Sequence, residues 1–455
     1  MKNDVMGQSF KEKIAMQTTW LCVLIILALT LGGCQNVTFT TQSDTKQNGA
    51  QRVIQPIALA TMSSASEIEW GQQLGSPTQD LGQTVAADES GNSYVAGFTT
   101  GDISAKNQGL TDILVAKFDA SGKRLWALQN GTDGDESAAA MVLNDAGDIY
   151  ITGSTSGIFS ADSGVGSLYV QKISTDGKIQ WTKQYGGIDS GSSHAIQLDS
   201  QGNIYLGGST SGQLGNQSFG YADACILKLS PEGKILWVCQ WGSQEKDLVK
   251  GLHIDTQGNL YAIGETEGVV GAESYGTNDI FLSFISPEGK VLKSYQYGSA
   301  FSENATSIVV NSKQQIYLSA WTDGDWIEKS AGQGDSVLLK VDSEGQVLWQ
   351  KQFGTSRWDG IHGIILDKND DDSVIVSGCE NYDDCHAFLI KLDADGNMVW
   401  NKTLIPEFST CGTVLAMDAK GNLYQTGGTH GQLYGDSAFS GTESDLFIYK
   451  LPTVR

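Results

Sequence analysis

The sequence predicts an all-β fold, a seven-bladed β-propeller of four-stranded antiparallel blades, on three observations. A tryptophan, once replaced by lysine, recurs at Trp70, Trp126, Trp181, Trp237, Lys293, Trp349 and Trp400, at intervals of 56, 55, 56, 56, 56 and 51 residues. Periods of that size mark arrays of one supersecondary unit. Glycine is abundant, at 55 of 455 residues, and proline scarce, at 6. With Asp-Gly and Gly-Asn pairs throughout, this means many tight turns between short strands. Finally, both ends of the repeat region are incomplete. Residues 67–75 form a tryptophan strand with nothing ahead of it, and 445–451 form a third strand with no fourth. Pairing the two closes a ring, whereas a solenoid needs capped ends.

In chain order, Lys2, Lys11 and Lys13 precede an apolar run, 20–31, that ends in Leu31, Gly32, Gly33 and Cys34. A basic start, a short apolar run and small residues before a cut read as a secretory signal, not a spanning helix. The cysteine makes the segment resemble a bacterial lipoprotein signal. That resemblance implies cleavage after residue 33, lipidation of Cys34, and anchoring in the cell membrane or outer membrane, facing outside the cytoplasm. Initiation at Met1 or at Met16 leaves the same mature start. Residues 34–65 are rich in Gln, Thr, Ser and Asn and read as a disordered tether. The propeller is expected over 66–455.

Each period repeats one reading. About ten residues after the anchor comes an apolar or alternating run, then a tight turn at Asp88, Asn144, Asp199, Asp255, Asn311, Asp367 and Asp418. A second strand follows with Tyr94, Tyr150, Tyr205, Tyr261, Tyr317 and Tyr424 in register, Ile375 being the exception. A variable loop leads to a third strand, opened by Asp112, Asp223, Asp279, Asp335 and Asp445. Another turn leads into the tryptophan strand. Asp-x-x-Gly-Asn-x-Tyr, then Asp before the third strand, then Gly-x-x-x-Trp, resembles the bacterial SBBP-type β-propeller repeat over about 67–451. The Gly-x-x-x-Trp hairpin is also similar to the tryptophan-docking repeats of quinoprotein propellers, without their quinone or metal ligands. The SBBP resemblance implies a fold and a surface or secreted role, and no assigned reaction. The repeated tryptophans and tyrosines are expected to pack between blades.

The formal charge of −23 excludes nucleic acid as a partner, since that requires clustered Lys and Arg. A closed ring exposes only short edges, and a monomer is expected. Function belongs where blades differ. Five acidic residues, Asp80, Glu136, Asp247, Glu303 and Asp359, stand ten residues after their anchors. They suit either a Ca²⁺ site or bonds to backbone amides at the start of the inner strand, and the second use is preferred. Three residues on lie Gln83, Ala139, His194, Lys250, Thr306, His362 and Thr413, expected at the channel or its rim. Loop aromatics at the same end include Phe159, Phe219, Tyr221, Tyr275, Trp321, Trp326, Tyr434 and Phe439, with Arg357 and Trp358 beside them. The candidate ligand-binding residues are therefore His194, Lys250, His362, Trp321, Trp326, Arg357 and Trp358, on a platform for protein or glycan.

The run 367–373 starts like a calcium loop but lacks its glycine and glutamate, and reads as a lengthened turn. Cys379 with Cys385, and Cys225 with Cys239, are candidate disulfides; Cys411 is left over. No catalytic triad, phosphate loop or metal-protease motif is present in the sequence. A lipid-anchored binding or scaffold module is the expectation. The alternative is an extracellular hydrolase or lyase using His194, His362 and the acidic positions.

Overall fold

The computed structural model describes residues 68–187, 191–380, 385–403, 409–434 and 443–452. Cys34 and the segments expected to be its signal and tether lie outside the described residues, as does Phe439. The chain divides into two units, Met1–Gln55 and Pro56–Arg455, and every described residue belongs to the second. Its strands, β1 to β28 in chain order, form seven four-stranded antiparallel sheets. The innermost strands of blades 1 to 7 are β2 (Asp80–Ala87), β6 (Glu136–Leu143), β10 (Gly191–Leu198), β14 (Asp247–Ile254), β18 (Glu303–Val310), β22 (Gly360–Asp367) and β26 (Thr410–Met417). Six blades are contiguous in sequence. The seventh is completed by β1 (Trp70–Leu74), which pairs antiparallel with β28 (Asp445–Leu451) in the register Trp70↔Lys450 to Leu74↔Leu446. Ring closure by the two chain ends is thus observed.

The third strands are buried on both faces because each blade is sandwiched by its neighbours. In Asp112–Phe118 all seven residues are buried, and fully burying one Leu or Val there contributes about 1.5–3 kcal/mol. The anchor tryptophans dock on the next blade. The Trp70, Trp126, Trp237 and Trp349 indole N–H groups donate to Ala120, Thr175, Pro287 and Ala394 carbonyls at 2.9–3.2 Å. Each ring covers the hairpin glycine of that blade. A Cβ on Gly122, whose φ is +84°, would stand 2.6 Å from Trp70, so glycine is required there on both counts. Lys293 replaces the indole N–H with its ammonium, 2.8 Å from Ser343 O, while Tyr295 supplies the ring over Gly345.

At the turn face, Asp88, Asp199, Asp255 and Asp418 each accept from the following Asn amide and from the strand-two Tyr hydroxyl. Blade 5 has Gln314 where five of the other turns have glycine, and it is the one non-glycine residue among those described with positive φ, 59°. The aspartate-rich turn of blade 6 is held by ion pairs. Asp372 pairs with Lys313, Asp367 with Lys391 at 2.5 Å, and Asp371 accepts from Ser312 N–H.

The Cys225–Cys239 pairing is corrected. Cys225 lies opposite Gln240 and Cys239 opposite Ile226. This one-residue offset sends the two side chains to opposite faces of the sheet, into different core clusters.

Candidate functional site

The mouth face carries the starts of the inner strands and the loops between strands two and three. Two polar clamps repeat there. In the first, the acidic residue opening the inner strand accepts bonds from a Ser or Thr four residues earlier. Asp80 accepts from Ser76 N–H at 2.6 Å, and Glu136 from Thr132 N–H at 2.6 Å and Thr155 Oγ1 at 2.7 Å. Asp247 accepts from Ser243 N–H at 2.6 Å and Thr266 Oγ1 at 2.5 Å, Glu303 from Ser299 N–H and Thr322 Oγ1 at 2.8 Å, and Asp359 from Thr355 N–H at 2.6 Å. All five are 0–1% exposed. Burial raises the carboxyls of Asp247 and Glu303, and carries Asp80 to about 6. Each carboxylate is spent inside its own blade. Among the described residues, the group of Cys, His, Asp and Glu side chains close enough to share an ion is Cys379, Cys385 and Cys411. The Ca²⁺ reading of Asp80, Glu136, Asp247, Glu303 and Asp359 is therefore set aside in favour of amide capping.

The second clamp was missed by the sequence reading, although its signal is plain: a glutamine three residues after the anchor. Gln129 Oε1 accepts from Ile103 N–H at 2.9 Å, while its Nε2 donates to Gly101 O at 2.8 Å and Asp112 Oδ2 at 2.9 Å. Gln240, Gln296, Gln352 and the β1 residue Gln73 repeat this bonding. The aspartates before the third strands are hence loop clamps.

Between the clamps, each inner strand carries a β-bulge. The register shifts at Gln83, Ala139, His194, Lys250, Thr306 and His362, and over Thr413–Val414 in blade 7. A bulge adds one residue to one strand and re-aims its side chain. Ala139, His194, Lys250, Thr306 and His362 line a central cavity of about 830 Å³. Gln83 lies outside that lining, and Thr413 turns to the seam with blade 1, donating to Gly82 O at 3.0 Å.

The mouth of this cavity is polar on one side and aromatic on the other. His194 Nε2 bonds Ser192 Oγ at 2.7 Å, and Lys250 Nζ lies 3.7 Å from Glu265 Oε1. Burial and then the Lys250 charge push His194 down to about 3; burial alone takes His362 to about 4. The Trp358 ring lies 6.1 Å from His362 and 5.3 Å from Trp321. Of the remaining candidates, Trp326 packs into a core cluster and Arg357 is exposed on the rim. Phe159 and Tyr434 likewise fold onto the core. A second depression, of about 530 Å³, lies between blades 3 and 4, lined by Gln217, Phe219, Ser243, Gln244, Glu245 and Val269. Tyr221 (75% exposed), Tyr275 (46%), Phe219 (39%) and Phe301 (45%) remain open to solvent on this face. Phe301 carries no repeat signal in the sequence.

Three likenesses bear on the fold. The chain is 24% identical over 178 residues to regulatory protein FlaEY of Caulobacter vibrioides, which covers 35% of this chain and 18% of that relative's length. An ulvan lyase described as a new polysaccharide lyase family, PL25, superposes with a TM-score of 0.51 at 12% identity, over 85% of this chain and 95% of its own. The same enzyme bound to -[GlcA(1-4)Rha3S]- gives 0.50 at 11% over the same shares. A family model, the SBBP β-propeller repeat, matches residues 69–104 and 180–216. The first match spans the β1 latch and the first two strands of blade 1, the second the tryptophan strand of blade 2 and the first two strands of blade 3. The chain is a seven-bladed propeller, two stretches of which match the SBBP repeat.

Proposed function

We propose that the protein is a lipid-anchored, extracytoplasmic binding module that takes an uncharged glycan on its mouth face. The observation that carries this reading is the depression between blades 3 and 4, lined by the open ring of Phe219, with the exposed Tyr221 two residues on in the same loop. Aromatic faces stack on the apolar faces of sugar rings, and Gln217, Ser243, Gln244 and Glu245 offer hydrogen bonds to hydroxyls. The charge of −23 repels polyanions, which favours a neutral chain over a sulfated or uronic one. The described chain enters the ring at the turn face, through Ile68 and Trp70, which leaves the mouth at the end opposite the point of entry.

The hydrolase or lyase reading loses support at its acid–base groups. A general base works best with a pKa near the working pH, whereas His194 sits at about 3 and His362 at about 4. The carboxylates ten residues after the anchors are held by the first clamp. The likeness to ulvan lyase reaches the fold and no further.

A glycan array with the full-length protein in detergent tests the binding reading. Binding of a neutral glycan, weakened at least tenfold by Tyr221→Ala or Phe219→Ala with the melting temperature unchanged, is expected. Binding of peptides instead, or glycan binding untouched by both variants, overturns it. Turnover of a polysaccharide lost in His194→Ala establishes the enzyme. Membrane association should disappear in Cys34→Ala.

A further inference from the structure

The seam between blades 6 and 7 lacks both polar clamps. His386 stands where five of the other six loops have an aspartate at the third strand, and Thr403 where all six have the glutamine three residues after the anchor. Thr410 replaces the acidic residue of the inner strand, its hydroxyl buried without a partner, and Glu380 replaces the threonine that ends strand two. Three cysteines occupy the vacated places. Cys379 is at the end of its strand opposite Gly360, Cys385 directly precedes the third strand of blade 6, and Cys411 is the second residue of β26. Their sulfur atoms all lie within 4.8 Å of one another. The Cα of Cys385 is 5.9 Å from that of Cys379 and 5.4 Å from that of Cys411. Both separations fall within the range a disulfide needs, so neither pairing requires backbone movement. The Thr410 N–H donates to Cys385 O at 2.5 Å and holds the two blades in this position.

We propose that the trio is a thiol–disulfide exchange centre in which Cys385 is shared between Cys379 and Cys411. The Cys411 thiolate attacks Sγ of Cys385. The Cys385–Cys411 bond forms as the Cys379–Cys385 bond breaks, and the electron pair leaves on Cys379 Sγ, which takes up a proton. One disulfide and one thiol stand on each side of the reaction, so no oxidant is consumed. The two states differ mechanically. Cys379–Cys385, six residues apart, staples a loop within blade 6, taking over the work of the missing Asp–Gln clamp. Cys385–Cys411, separated by 26 residues, ties blade 6 to the blade that the N-terminal strand completes. The longer closure constrains more chain. Cys225 and Cys239 stay outside the exchange: both are buried thiols, with burial raising the first and pushing the second up to about 12.

The test is disulfide mapping on full-length protein quenched in acid, which stops exchange, then denatured, alkylated and digested without reduction. Native protein is expected to show both linkages, with alkylation shared between Cys379 and Cys411 in different molecules. Cys379→Ser should carry only Cys385–Cys411, and Cys411→Ser only Cys379–Cys385. A single linkage in native protein overturns the proposal, as does Cys379→Ser with Cys385 and Cys411 both alkylated. Three alkylated cysteines accompanied by one bound metal ion would show a thiolate metal site in its place. Since the first arm uses unmodified protein, a variant that fails to fold leaves it decisive.

Discussion

Gln73→Ala tests ring closure at one side chain. Gln73 is on β1, the strand joined to its blade by no turn. Its Nε2 donates to Asp445 Oδ2 at 2.8 Å and Gly431 O at 3.1 Å, and its Oε1 accepts from Leu433 N–H at 2.7 Å and Tyr434 N–H at 3.3 Å. A bond to a carboxylate contributes about 2 kcal/mol net and each neutral bond about 1 kcal/mol. The total of about 5 kcal/mol is an upper bound, because the four bonds share one side chain and water reaches part of the site; about 3 kcal/mol is expected. Asp445 works against a smaller loss, since at 1% exposure it cannot replace its donor with bulk water. Urea unfolding followed by tryptophan fluorescence provides the assay, with Gln129→Ala as the reference. Gln129 makes the same bonds in blade 1, whose strands are all contiguous. Gln73→Ala should lower the unfolding midpoint more than Gln129→Ala, since it also loosens the latch. A midpoint equal to that of native protein, or a larger loss for Gln129→Ala, would refute the reasoning.

The mouth histidine makes stability depend on pH in a stated direction. His194 lies at about 3 when folded against 6.5 ordinarily, so below pH 6.5 only the unfolded chain takes the proton. The stability of native protein relative to His194→Gln should then fall by about 2 kcal/mol between pH 7 and pH 5, at about 1.4 kcal/mol per unit below 6.5. Thermal melts of both proteins check it, and a difference independent of pH contradicts it. At the anchor position, Trp126→Ala should cost about 3 kcal/mol through lost packing and the lost indole bond to the Thr175 carbonyl. Lys293→Ala should cost under about 1 kcal/mol, because its partner Glu344 is 74% exposed and Tyr295 already covers Gly345. Equal losses in denaturant melts would mean that Tyr295 does not stand in for the missing indole.

Blade number and ring closure were legible because they rest on period and on chain ends, neither of which depends on register. The register Trp70↔Lys450 needed only the tryptophan and the final Leu-Phe-Ile-Tyr run to be placed opposite. Acidic positions were legible as positions and ambiguous in use. The deciding residues were in view: Ser76, Thr132, Ser243, Ser299 and Thr355 each lie four before their carboxylate, at hydrogen-bonding distance. The bulges were not legible, since inner strands such as Glu136–Leu143 and Gly191–Leu198 mix small and polar residues and offer no regular apolar alternation for an extra residue to interrupt. The Cys225–Cys239 pairing failed for the same physical reason, a single residue of register. Trp326 and Tyr434 looked identical to Tyr221 as loop aromatics. Burial separates them, and burial depends on which loop folds back over which blade.

The bulges explain how seven similar blades present dissimilar groups to one channel. On either side of each bulge the register is restored, so the strand pairs with its neighbour whichever residue is inserted. In blades 2 to 6 the inserted side chain lines the cavity and takes little part in the interblade core. Ala139, His194, Lys250, Thr306 and His362 can therefore differ at small cost to folding, while a change at the Asp, Gln, Tyr or Trp positions calls for a substitute contact, as Tyr295 provides beside Lys293. His362→Ala makes this concrete. His362 is partly exposed to the cavity and touches Trp358 at 6.1 Å between ring centroids. Its removal should shift stability by less than about 1.5 kcal/mol, where a core truncation costs about 2–5 kcal/mol. A loss in the core range would show that the bulge residue belongs to the packing of blade 6, and would move the variable surface of this propeller out of the channel and onto the loops alone.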